Sequence, residues 1–239
     1  MERWAIHIDI EGFSVTYEKS AQGLFSLRAL MEGIYLIGKK WCPYPPERMF
    51  AHQLGDGFII IGEFRRDSLD VPISIAIALM RQVLFSDGAA KAVIVEGELA
   101  DIQGCFPKRI RDESEGDSWV RLARGGLMTT FPVMGNALIR AINLAKDSPS
   151  GSLLLIEEAY RSRIPEEIHL EPTGVADLLS IDWIHAKPKS LELIQQEIVE
   201  LPQLSFPPNV LEFKLKEYIK NNDLKGEWKD NTLGFLQIK

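Results

Sequence analysis

Apolar positions near the start of the chain lead toward an acid. In WAIHIDIEGFS (4 to 14) they run up to Asp9, and Gly12 follows three residues later. A short apolar run bounded by glycine predicts a buried strand over 4 to 9. Leu24, Leu27, Leu30, Met31, Ile34 and Leu36 then recur at helical spacing and predict a helix over 20 to 38. The prolines of WCPYPPERM (41 to 49) break it. MFAHQL (49 to 54) and GFIIIGEF (57 to 64) read as strands, split by Gly55-Asp56-Gly57 in the manner of a hairpin. A buried helix opened by Pro72 is expected over 71 to 85, and a strand over 90 to 99. Charged, glycine-containing residues 104 to 119 read as a surface loop. A helix from about Gly135 to Lys146 precedes SGSLLLIEEAY (150 to 160), a strand followed by a short helix. After about 187, two helices flank the proline-bearing PQLSFPP (202 to 208).

Strands and helices interleave around a central hairpin. This order predicts an α+β sandwich, with helices packed on one mixed or antiparallel sheet. At 239 residues and 46% hydrophobic, the chain can bury a substantial core without staples. Its net charge of -7 argues against a nucleic-acid binder working by phosphate neutralisation. Cys42 and Cys105 lie far apart and belong to no zinc pattern, so reduced thiols are expected. No signal peptide or membrane-length apolar run stands out, so a cytoplasmic protein is expected.

Asp9 ends a strand and Asp56 tips a hairpin. If those strands pair, the two carboxylates meet at one edge of the sheet. Such a pair favours a bound cation, and oxygen ligands with open positions suit Mg²⁺ or Mn²⁺ carrying a phosphate. The amides from Gly12 to Ser14 could receive phosphate oxygens. Each acid taken singly also has a structural reading, as a turn former.

With their flanks, these stretches resemble class III nucleotidyl cyclases. IDIEGFS is similar to the family's metal-binding strand, and QLGDGFIII to its second metal motif. VIVEGELADIQG (93 to 104) and MGNALIRAINLAKDSPSGSLLLIEEAY (134 to 160) resemble the strand, helix and strand that follow, so the likeness covers about 10 to 160. It implies a ferredoxin-like sandwich, working as a head-to-tail homodimer with sites at the interface. It also implies two Mn²⁺ or Mg²⁺ ions per site, held by Asp9, Asp56 and the Ile10 carbonyl, with Glu11, Gly12, Phe13 and Ser14 around the triphosphate. Residues 1 to 186 would form the cyclase domain, and 187 to 239 a helical extension packed on it.

The departures bear on substrate. Where purine cyclases often carry a base-reading lysine, four residues before the second aspartate, this chain has His52. The second base-reading position falls on Pro132. The family's Asn-x-x-x-Arg falls on Ile139 and Asn143 in an ungapped alignment, and on Asn136 and Arg140 after a shift of three. Asn136, Arg140 and Asn143 share one helix face, with Leu138, Ala141, Ile142 and Ala145 on the other. A free-standing chain with both metal acids and no purine readers resembles the bacterial Pycsar pyrimidine cyclases, which make cyclic UMP or cyclic CMP in anti-phage defence. Phe50 and His52, on one side of the strand before the turn, would narrow the base pocket. A purine cyclase with an unusual pocket and a catalytically silent nucleotide- or protein-binding module are the alternatives. His7, His169, His185 and the basic run KRIRD (108 to 112) read as structural or solvated residues.

Overall fold

The computed structural model describes residues 2–14, 17, 21–41, 49–62, 67–108, 120–123, 126–129 and 133–238. Its first elements are β1 (Glu2–Ile10), α1 (Gln22–Leu36) with a π-helical turn (Ile37–Trp41), β2 (Met49–Leu54), β3 (Gly57–Gly62), α2 (Asp70–Phe85) and β4 (Ala90–Glu98). These strands lie in the order β4-β1-β3-β2, with every neighbouring pair antiparallel. That is the split β-α-β-β-α-β arrangement of a ferredoxin-like sandwich.

Side-chain alternation along β1 decides which face is which. Trp4, Ile6, Ile8 and Ile10 join Leu30 and Ile34 of α1 and Ile73 and Ile77 of α2 in one buried cluster. Ala5 shares the opposite face with Ile59, Ile61, Val93 and Val95. His7 and Asp9 follow Ala5 in parity, so they belong to that second face. Its cover is α3 (Asn136–Asp147), which contributes Ala137, Leu138 and Ala141. Ile142, expected on the buried side, is 41% exposed, and Ala137 fills that role.

Between β4 and α3 lie the short pairs β5 (Ala100–Asp101) with β8 (Val133–Met134), and β6 (Val120–Ala123) with β7 (Gly126–Thr129). The strand expected within 150 to 160 is β9 (Leu154–Glu157), parallel to β4, and a 3₁₀ helix (Glu158–Arg163) follows it. The antiparallel pair β10 (Leu170–Pro172) and β11 (Leu178–Ile181), absent from the sequence reading, extends the sheet to seven strands among the described residues.

After it come α4 (Lys189–Glu197), α5 (Pro208–Asn221) and α6 (Glu227–Phe235), the last also unanticipated. Leu191, Ile194, Leu204, Leu211 and Leu215 are buried in the same cluster as α1 and α2. Arg81 of α2 pins the chain leading into these helices. Its Nη2 donates to the carbonyls of Trp183 (3.1 Å), Ile184 (3.0 Å) and Ala186 (3.0 Å). Among the described residues, no helix is long and apolar enough to cross a membrane.

Candidate active site

Strand register brings the two acids to one end of the sheet. Asp9 pairs across from Gly57 of β3, and Asp56 directly precedes that glycine in the turn. The approach is close: a Cβ on Gly57 would lie 2.6 Å from the Ile8 carbonyl oxygen and 2.7 Å from Asp9 Oδ1. Glycine at 57 therefore lets the Asp9 carboxylate rest against the hairpin. Gly55, with φ +65, supplies the left-handed residue of the turn. Burial, then the charges of Asp56 and Glu11, push the Asp9 carboxyl up to about 7. A part-buried carboxylate that feels the charge of other carboxylates is poised to exchange its proton for a cation.

On its other side Asp9 pairs with Lys91 of β4. The Lys91 ammonium donates to the Ala145 carbonyl at 2.9 Å and the Ser148 carbonyl at 3.3 Å, at the C-terminal end of α3. A cation suits the carbonyls at this end of a helix. Burial lowers the Lys91 pKa, against the pull of Glu11 and Asp9.

Glu11, expected near the triphosphate, has its backbone N–H on the Ala89 carbonyl at 2.9 Å. Its carboxylate accepts the Trp228 indole N–H at 2.7 Å. Burial raises its pKa, against the hydrogen bond from Trp228, the charge of Lys91 and the Gly151 backbone N–H. Gly12 (φ +69) and Ser14 are exposed, Phe13 is half-buried, and Phe13 and Ser14 already have helical conformation. His7 is part-buried, burial lowers its pKa, and its Nδ1 has no hydrogen-bond partner among the described residues.

Phe50 and His52 lie on the edge strand β2, opposite Ile61 and Ile59. They therefore share the α3-side face with His7 and Asp9. Phe50 is 46% exposed, and burial lowers the His52 pKa. Pro132, at the second base-reading position, lies outside the described residues, as do Cys42 and residues 109 to 112 of the basic run. Cys105 is a free, exposed thiol.

Asn136, Arg140 and Asn143 are all exposed on α3. Arg140 donates to the Glu96 carbonyl (2.6 Å), to Glu157 (2.5 Å) and to the Tyr160 hydroxyl (3.2 Å). Glu96 pairs with Trp4 at the far end of β1, and the Tyr160 ring meets Trp4 edge-on at 5.1 Å. Trp4 and Asp9 are five residues apart on one strand, about 17 Å at ~3.3 Å per residue. Within one chain, Arg140 and the two acids occupy opposite ends of the sheet.

Two solved structures, each of a bacterial light-regulated adenylyl cyclase, are similar to this chain. One shares 10% identity over 86% of this chain and 58% of its own, with a TM-score of 0.45. The other shares 10% identity over 86% and 57%, with a TM-score of 0.39. The chain thus spans less than two thirds of the length of either. No protein-family model matches the chain. No curated protein matches it either.

Among the described residues, no group of three or more His, Cys, Asp or Glu side chains converges on a metal position. Two carboxylates and a main-chain carbonyl nevertheless fit a hard ion that keeps water and phosphate as its other ligands. The Asp9 and Asp56 pair, with the Ile10 carbonyl, has that composition.

Proposed function

We propose that the protein is a metal-dependent nucleotide cyclase, converting a nucleoside triphosphate to a 3′,5′-cyclic nucleotide and pyrophosphate. The carrying observation is that Asp9 lies against the hairpin that presents Asp56, while Arg140 stands at the other end of the same sheet. Two copies packed head to tail would bring each arginine to the other's acids, in two equivalent sites. Asp9, Asp56 and the Ile10 carbonyl would hold the metals. Mn²⁺ or Mg²⁺, when bound, supplies the charge that activates the 3′-hydroxyl and steadies the triphosphate. Arg140 neutralises charge building on the α-phosphoryl group as the 3′-oxygen bonds to phosphorus and pyrophosphate leaves. Its three hydrogen bonds among the described residues use part of a five-donor fork, so the guanidinium can serve substrate without leaving Glu157. Asn136 and Asn143 flank it and orient the sugar and phosphate.

The substrate in this reading is UTP or CTP. Phe50 offers an exposed ring for stacking a one-ring base. His52, kept neutral by burial, can meet the polar edge of that base. The product would be a signal in bacterial anti-phage defence. A second reading, a catalytically silent module, draws on Lys91, whose ammonium already supplies positive charge beside Asp9 and Glu11. The deciding experiment offers ATP, GTP, CTP and UTP separately with Mn²⁺ and identifies products by mass spectrometry. A cyclic pyrimidine nucleotide, lost in Asp9→Ala, is expected. A cyclic purine would refute the base assignment, and no product from any of the four would leave the silent module standing.

A further inference from the structure

The turn leaving the metal strand is fastened from behind by the last helix. Glu11 lies two residues beyond Asp9, and its Oε2 takes the Trp228 Nε1–H at 2.7 Å across 217 residues of sequence. The Gly151 backbone N–H favours the charged form of the same carboxylate. Helix α6, which carries Trp228, is itself fixed to that loop. Asn231 Nδ2 donates to the Ser150 carbonyl at 2.9 Å, and Ser152 N–H donates to Thr232 Oγ1 at 3.0 Å. Thr232 Oγ1 donates in turn to the Trp228 carbonyl at 2.7 Å. Gly151, at φ +138, is needed for the fit, since a Cβ there would lie 2.8 Å from Thr232 Oγ1. The buried Tyr218 ring of α5 lies 6.2 Å from the indole.

Three separated parts of the chain are therefore tied in series: the β1 turn to α6 through the Glu11 carboxylate, and α6 to the 150–152 loop. Packing alone asks nothing of the indole N–H, which phenylalanine would lack. The hydrogen bond is what ties α6 to the metal strand. Partners of this kind, one step removed from a metal, commonly set the geometry of its ligands.

We infer that Trp228 is a positioning residue for the metal site, acting through Glu11 to fix the turn that carries the Ile10 carbonyl beside Asp9. This rests on the metal-site reading proposed above. It makes α6 part of the site and not only a cover for the core.

The test measures Mn²⁺ binding to the full chain by electron paramagnetic resonance of the free ion. Trp228→Phe should weaken binding ~10-fold. In a Glu11→Ala background it should weaken binding no further. In the wild-type chain, Mn²⁺ should slow amide hydrogen exchange both over 9 to 14 and over 227 to 235, a readout that needs no variant. Wild-type affinity in Trp228→Phe, an undiminished effect in the Glu11→Ala background, or protection of 9 to 14 without α6 would each overturn the inference. Failure of the wild-type chain to bind Mn²⁺ would overturn the metal-site reading, and the role of Trp228 with it.

Discussion

Replacing Asp9 by asparagine should make the metal-free protein more stable at pH 8. Burial, with Asp56 and Glu11 nearby, lifts the Asp9 carboxyl from 3.8 to about 7. In the folded chain Asp9 keeps its proton to about pH 7, whereas the unfolded chain releases it near 3.8. Between those values the native state binds more protons, so stability falls as pH rises and levels off above the folded value. About three units at ~1.4 kcal/mol each set a ceiling of about 4 kcal/mol. Asp9 is only part-buried, and solvent screening reduces the figure to about 2 kcal/mol. Asparagine keeps the shape and never carries the charge. Urea unfolding in EDTA, followed by tryptophan fluorescence at pH 4.5, 6 and 8, measures the difference. Asp9→Asn should exceed wild type by about 2 kcal/mol at pH 8 and approach it at the acid end. Mn²⁺ should then stabilise wild type and not the variant, because it binds only a native site that retains its carboxylate. An Asp9→Asn protein no more stable than wild type at pH 8, or a gap that ignores pH, would show that the folded chain does not disfavour the Asp9 carboxylate.

Two further perturbations probe the frame around the site. Arg81→Met should cost about 3 kcal/mol in urea unfolding, because the Trp183, Ile184 and Ala186 carbonyls lose a buried donor; a loss below about 1 kcal/mol would mean water replaces the guanidinium. Gly57→Ala should cut Mn²⁺ affinity at least ~10-fold by titration, since its Cβ would collide with Asp9 Oδ1 and the Ile8 carbonyl; unchanged affinity would show that Asp9 need not rest against the hairpin.

Local pattern carried much of this fold. The alternation along β1, the glycine-flanked Asp56 and the helical periodicity of 20 to 38 and 71 to 85 each specify an element within their own span. Ferredoxin-like order then follows from how such elements pair. What escaped is non-local or short. The β10 and β11 pair is joined by a turn that uses Gly174 at φ +79 and Asp177 at φ +59, and its strands hold only three and four residues. Helix α6, nine residues long, gains its place from Thr232 and Asn231 against the 150–152 loop more than from an apolar stripe. Ile142 looks like core by composition, yet α3 buries Ala137 instead, because a small residue lets the helix approach Gly97 of β4 closely. The tie between Glu11 and Trp228 spans nearly the whole chain, and no spacing rule could have announced it.

Complementation between two inactive variants tests whether each site draws on both copies of the chain. Asp9→Ala and Arg140→Ala chains would each be purified, assayed alone for cyclic nucleotide formation, and then mixed in equal amounts after subunit exchange. Little product is expected from either alone. The mixture should recover about a quarter of wild-type activity, since half the dimers are mixed and each mixed dimer has one intact site. No recovery from a mixture shown to form mixed dimers would contradict a site built from the acids of one copy and the arginine of the other.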